Sequence, residues 1–337
     1  MDPMNRKSRA SVIMLVLTVL IVLMVVVSLG TGQVRLAPGE VWHTLLGRGS
    51  SREELILFDF RLPRILVSLL VGAGFAVSGC ILQGLSRNAL AEPGILGINA
   101  GAGLAVILFI SYYPIQSATS VFTLPLLAFA GAGATAALIY ALAYSKDREM
   151  SSARLLVVGI AVAAGISAAM LVLTIRLDPQ QYQFVSIWLA GSIWGSNWHF
   201  VSALLPWILV LLPLAIFKSK VLNVMALGDL QASGLGANVG RERIMLLAIS
   251  VGLAGACVAI GGGIAFVGLI GPHLARRLVG PKHQLALPAS ALLGALLLVT
   301  ADTIARIILK SGEIPTGIVV AVIGAPYFLY LLAKARN

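Results

Sequence analysis

Long apolar runs recur along this chain, and short polar breaks carrying nearly all of its charge divide them. A helix needs about 20 mostly apolar residues to cross about 30 Å of hydrocarbon. Ten runs fit or approach that length: residues 10–29, 65–85, 94–112, 122–144, 153–175, 199–217, 244–262, 264–279, 286–308 and 316–333. The eighth is short, and only Gly261, Gly262 and Gly263 separate it from the seventh. The first follows Arg6, Lys7 and Arg9, but it is too long for a signal-peptide core and no clean small-residue cleavage site follows, so it reads as a span. The pattern predicts an all-α polytopic membrane protein of about ten transmembrane helices, forming one domain over residues 1–337. Residues 30–64 read as a polar segment of mixed charge. Residues 178–198 hold three of the five tryptophans and read as an interfacial helix plus loop.

The largest polar break inside the second half is LGDLQASGLGANVGRERI, residues 227–244. As a helix it places Leu227, Leu230 and Leu235 with Ala232 on one small apolar patch, with Asp229 and Gln231 off it. Gly234, Gly236 and Gly240 interrupt it, which predicts a short helix, a tight turn and a second short helix. Pattern alone leaves a plain surface loop and a docking site for a soluble partner equally open.

Composition agrees with the span count: 59% of residues are hydrophobic and 11% charged, against about 25% charged in soluble domains. The net charge of +11 is spread in short clusters between apolar runs, the mark of membrane topology rather than of a nucleic-acid groove. With ten spans, the breaks on the side of the termini hold 16 Lys and Arg and the opposite breaks hold 8. The basic excess assigns both termini and the Leu227 segment to the cytoplasm. Cys80 and Cys257 fall inside apolar runs and read as buried small hydrophobes.

That topology sorts the remaining polar groups. Arg61 and Arg64 stand at the outer mouth of the second span; Asp302 and Arg306 stand near the outer end of the ninth at i, i+4 spacing. Spacing favours a helix ion pair worth a few tenths of a kcal/mol over a cationic rim of Arg61, Arg64 and Arg306. Lys310 and Glu313 read as loop residues. Small residues in 71–79, 97–103, 130–134 and 164–169 allow close helix packing. The turn Gly261–Gly262–Gly263, through Phe266, is different: broken backbone at membrane depth must be buried in protein or line a cavity, which places it near a translocation path.

Several chemistries are absent. No G-x-x-x-x-G-K-[ST] occurs, so the chain has no P-loop for ATP. His43, His199, His273 and His283 are scattered without carboxylate or cysteine at metal-ligand spacing. Acids near the membrane are confined to span ends (Glu92, Asp302, Glu313), unlike the mid-membrane ionisable groups of ion-coupled carriers. Energy is expected to come from another subunit acting on the Leu227 segment.

Seven stretches in order carry a resemblance: RLPR (61–64), SGCILQGLSRNALAEPGILGINAGA (78–102), LAGSIWGSNW (189–198), ALGDLQASGLG (226–236), GGIAFVGLIGPHLARRLVG (262–280), ADTIAR (301–306) and EIPTGIVVAVIGAPYFLYLL (313–332). The chain resembles FecCD-type permeases of ATP-binding-cassette importers for iron–siderophore, haem and vitamin B12. One departure is Ala89, where the family commonly has proline. The resemblance implies the type II importer permease fold and a bacterial cell-membrane location. It implies an ATPase dimer that holds the ATP and Mg, an extracytoplasmic substrate-binding protein, and a second permease chain, a paralogue being favoured over a copy. The chain itself would bind no cofactor or metal and perform no bond chemistry. By the resemblance, Leu227, Gly228, Asp229, Ala232, Leu235 and Gly236 form the coupling segment against the ATPase, and Arg61, Arg64 and Arg306 meet acidic residues of the binding protein. The expected cargo is a ferric siderophore, with cobalamin or haem as alternatives. A secondary carrier without an ATPase is a further alternative, against which the scarcity of mid-membrane acids speaks.

Overall fold

The computed structural model describes residues 3–32, 34–94, 97–113, 120–144, 152–309 and 312–335. Among these the chain is helical, with short connections. The long helices are α1 (Pro3–Gly30), α4 (Leu62–Ser86), α5 (Ile98–Tyr112), α6 (Ser120–Ala143), α7 (Ser152–Thr174), α9 (Trp198–Phe217), α12 (Val239–Gly261), α13 (Val267–Val279), α14 (His283–Ile308) and α15 (Thr316–Ala335). Shorter helices fill the breaks: α2 (Pro38–Leu45), α3 (Ser51–Glu54), α8 (Pro179–Leu189), α10 (Ser219–Met225) and α11 (Asp229–Gly234). Among the described residues, seven helical stretches are long and apolar enough to cross a membrane. α5 and α13 are shorter than that.

Residues 30–64 differ from the polar segment read in the sequence. The Ser50 hydroxyl accepts from the Glu53 N–H while the Glu53 carboxylate accepts from the Ser50 N–H at 2.7 Å, a capping box that starts α3. From there the helix does not stop. A π-helical stretch, Leu55–Arg61, joins α3 to α4, so residues 51–86 form one continuous 36-residue helix. Apolar packing explains the extension: Leu57 is buried with Leu29, Leu36, Val41, Ile65 and Val299. The mixed charges lie on its outer turns.

α4 is the axis of the molecule, packed by α9, α12, α13 and α14. The lipid-exposed alternative is as apolar as a leucine core, so close backbone approach, not apolar burial, holds such helices together. A β-carbon on Gly72 would strike the Gly294 carbonyl of α14, and one on Gly294 would strike that of Gly72. Gly79 meets the Gly268 carbonyl of α13 in the same way, and Gly101 and Gly131 bring α5 onto α6. Between these seams Ser78 Oγ and Ser250 Oγ lie 2.7 Å apart, each within reach of the other's backbone carbonyl at 2.8 and 3.1 Å, so two hydroxyl protons serve three alternative contacts. The packing reading does not extend to every small-residue stretch. Gly133 and Gly165 have open space where a β-carbon would sit, and only 6% of the most apolar window of α7 is buried within the chain. Cys80 and Cys257 are free and buried.

Candidate functional site

At one end of the bundle, Arg61, Arg64 and Arg306 come together, but beneath the surface. Arg64 leaves the first turn of α4. Its Nε and Nη2 donate to Asp302 Oδ1 at 2.9 and 2.7 Å, and its Nη1 donates to Glu313 Oε2 at 2.7 Å. Arg306 Nε lies 3.2 Å from the other oxygen of Asp302, and Arg306 Nη2 donates to Ser28 Oγ. Arg61 spends its guanidinium on the carbonyls of Leu29 and Val34. Thr316 Oγ1 donates to Asp302 Oδ1 at 3.2 Å. All three arginines are buried within the chain, so the cluster is not an exposed cationic rim. An unpaired buried guanidinium is far too costly, and each finds partners within the chain, although Arg306 Nε and Asp302 Oδ2, 3.2 Å apart, make an ion pair without a hydrogen bond. The i, i+4 pair of Asp302 and Arg306 exists, as one edge of a wider network. Glu313 lies in a connection, yet it is a partner of Arg64 across 249 residues. Lys310 lies outside the described residues.

The triple-glycine turn sits where two broken segments meet. α12 ends at Gly261; Gly262 takes φ +68° and ψ −157°, and its N–H reaches Val258 O at 2.8 Å. A β-carbon at Gly262 would hit the Trp188 carbonyl at the end of α8, and one at Gly263 would hit that of Leu189. Phe266 then adopts φ +67°, a left-handed conformation costing about 1 kcal/mol for a residue with a side chain. Its N–H opens α13 and donates to Glu92 Oε2 at 3.1 Å. Glu92 lies in the linker between α4 and α5, and Pro93 beside it packs on Gly268. Burial raises the Glu92 carboxyl above its ordinary pKa, and the Phe266 N–H partly offsets this. The Phe266 ring faces Phe328 of α15 at 6.3 Å.

On the opposite end, Gly228 (φ +112°) turns the chain out of α10 and into α11, and Gly236 (φ +83°) turns it back toward α12. The order therefore differs from the two short helices expected inside the segment: α11 is the only one there, and α12 itself begins at Val239. Asn238 starts α12, its side chain accepting from the Arg241 N–H at 3.1 Å. Leu227, Leu230 and Leu235 are 59%, 78% and 66% exposed and form an apolar patch. Ala232 is buried, and Asp229 faces Arg243, whose Nη2 lies 2.7 and 2.6 Å from its two oxygens. Of the six residues singled out here, Leu227, Leu235 and Gly236 face outward, while Gly228, Asp229 and Ala232 hold the segment in place. Leu230 belongs to the same patch and Arg243 to its anchor. The apolar spacing marked the first; nothing local marked the second.

The described residues thus form a bundle of apolar helices with glycine seams, a buried arginine cluster at one end and an exposed apolar helix-turn at the other. Residues 19–334 match the FecCD transport family. The chain belongs to that family. This FecCD permease is 49% identical over 98% of its length to the iron(3+)-hydroxamate import system permease protein FhuG of Bacillus subtilis (strain 168), covering 99% of that protein. It is 38% identical to the hemin transport system permease protein HmuU of Yersinia pestis, covering 96% of each chain. Among solved structures, it matches an inward-facing conformation of a putative metal-chelate type ABC transporter with a TM-score of 0.84 and 32% identity, over 96% of this chain and 99% of that one. As a FecCD permease the chain is the membrane-embedded subunit of an ABC importer.

Proposed function

We propose that this permease carries a ferric siderophore of the hydroxamate class into the cytoplasm, crossing the bacterial cell membrane ten times with both termini inside. The observation that carries the cargo is the end-to-end likeness to an iron-hydroxamate permease at 49% identity. A separate ATPase pair drives it through the exposed patch of Leu227, Leu230 and Leu235, which has the size and chemistry to seat in a cleft of a soluble subunit. An extracytoplasmic binding protein delivers the cargo at the outer arginine cluster. A paralogous second permease chain completes the path, and the weakly buried apolar faces of α7 and α9 leave ample surface for it and for lipid. The turn Gly261–Phe266 lies beside that path.

The test is uptake of radiolabelled iron supplied as hydroxamate, catecholate and citrate complexes, and of labelled haem, in cells with and without the chain. Loss of hydroxamate uptake alone is the expected result. Loss of haem uptake instead would replace the cargo, in line with the hemin permease among the relatives.

A further inference from the structure

We propose that Glu313 is a displaceable internal counter-ion: it occupies Arg64 until an acidic side chain of the docking protein takes its place. The inference rests on the docking role proposed above for the outer arginines. It resolves a conflict that this role creates, because a buried guanidinium cannot meet a partner unless something on the chain gives way.

The two carboxylates on Arg64 are not equivalent. Asp302 sits in the helical body of α14, is fully buried, receives Nε and Nη2, and is held further by Arg306 and Thr316. Glu313 lies in the connection between α14 and α15, and its side chain is 18% exposed. It engages Arg64 only at Nη1. Gly312, at φ +92°, precedes it in that connection. Asp302 is thus the fixed partner and Glu313 the removable one.

Removing Glu313 without replacement would leave buried Arg64 and Arg306 sharing the single carboxylate of Asp302, which is unfavourable. Exchanging it for an aspartate or glutamate of another protein preserves both the charge balance and the hydrogen bond. The site therefore selects an acidic side chain and rejects neutral or basic ones. Exchange also unties the lead into α15. Ile314, Pro315 and Thr316 follow, and Gly317 N–H is bound to Gly191 O at 2.8 Å beside the triple-glycine turn. Occupancy of Arg64 by a partner would then be felt at the elements that bracket Phe266 and Phe328.

The experiment uses the assembled transporter in lipid nanodiscs with its cognate binding protein, whose Kd is measured at fixed ionic strength for the native chain, Glu313→Gln and Arg64→Ala. Docking is expected to weaken tenfold or more in Arg64→Ala and to tighten roughly fivefold in Glu313→Gln, because the internal competitor is gone. Where the glutamine variant does not assemble, Glu313→Asp draws the charge back by one methylene, and the same tightening is expected. Weakened docking in Arg64→Ala with unchanged or weaker docking in the Glu313 variant overturns the counter-ion proposal while leaving the docking role intact. Unchanged docking in Arg64→Ala overturns the docking role itself, and the proposal with it.

Discussion

Arg243, in the second turn of α12, closes on both carboxylate oxygens of Asp229, the first residue of α11, at 2.7 and 2.6 Å. The pair is nearly buried on both sides and ties the exposed apolar patch to a spanning helix. Arg87, at the left-handed end of α4, stands 3.9 Å from the same carboxylate. On the coupling role proposed for the patch, a push on it would reach α12 through this ion pair. Arg243→Ala removes one charged partner and costs about 2 kcal/mol locally. We expect cargo uptake to fall well below a tenth of native while ATP hydrolysis by the assembled transporter persists. Combining Asp229→Arg with Arg243→Asp should restore part of the uptake, since a cation at a helix N-terminus remains unfavourable. Paired uptake and hydrolysis rates read the outcome.

Leu230 is the most exposed of the three patch leucines. Leu230→Asp leaves the fold untouched, because the side chain packs on nothing within the chain that a carboxylate would disrupt. It places a charge where an apolar contact is proposed. The expected result is normal expression and thermal stability in detergent with loss of co-purifying ATPase subunit.

Gly72 and Gly165 make a matched pair of tests. Gly72→Ala drives a methyl into the Gly294 carbonyl, and overpacking of that kind costs 1–3 kcal/mol or more. Gly165→Ala meets open space within the chain and gains helix propensity. Size-exclusion profiles and Tm should show the first depressed and the second unchanged. A depressed second value would show instead that this face of α7 is covered by another subunit.

Glu92 accepts the N–H that opens α13. Glu92→Ala orphans that donor at about 1–3 kcal/mol and should lower both Tm and uptake. Glu92→Gln keeps an acceptor oxygen. Since burial already favours the neutral carboxyl, it should be the milder change, with uptake nearer native.

The apolar runs read from the sequence fall on helices, because in hydrocarbon the backbone must satisfy itself and length is the only free variable. What escaped local reading was of two kinds. The helix through residues 51–61 is hidden by charges on its outer turns, although the Ser50–Glu53 capping signal was present and Leu57 was there to be buried. The network around Arg64 escaped for a different reason. Asp302 and Glu313 lie more than two hundred residues away, and no spacing rule reaches across a fold. The same holds for Asp229: the resemblance placed it in the coupling segment, but only the fold shows its pairing with Arg243. Glycine spacing predicted close packing at Gly72 and Gly79 as readily as at Gly165, because a small residue says that a neighbour can come near, not that one does.

The glycine seams of α4 set a mechanical limit. Where carbonyl meets bare Cα at Gly72–Gly294 and Gly79–Gly268, there are no side chains to change rotamer and absorb motion. Relative sliding of α4 against α13 and α14 is therefore resisted at these two seams. Among the described residues, the turn at Gly261–Phe266 and the short lead into α15 lie outside them and are free of that restraint.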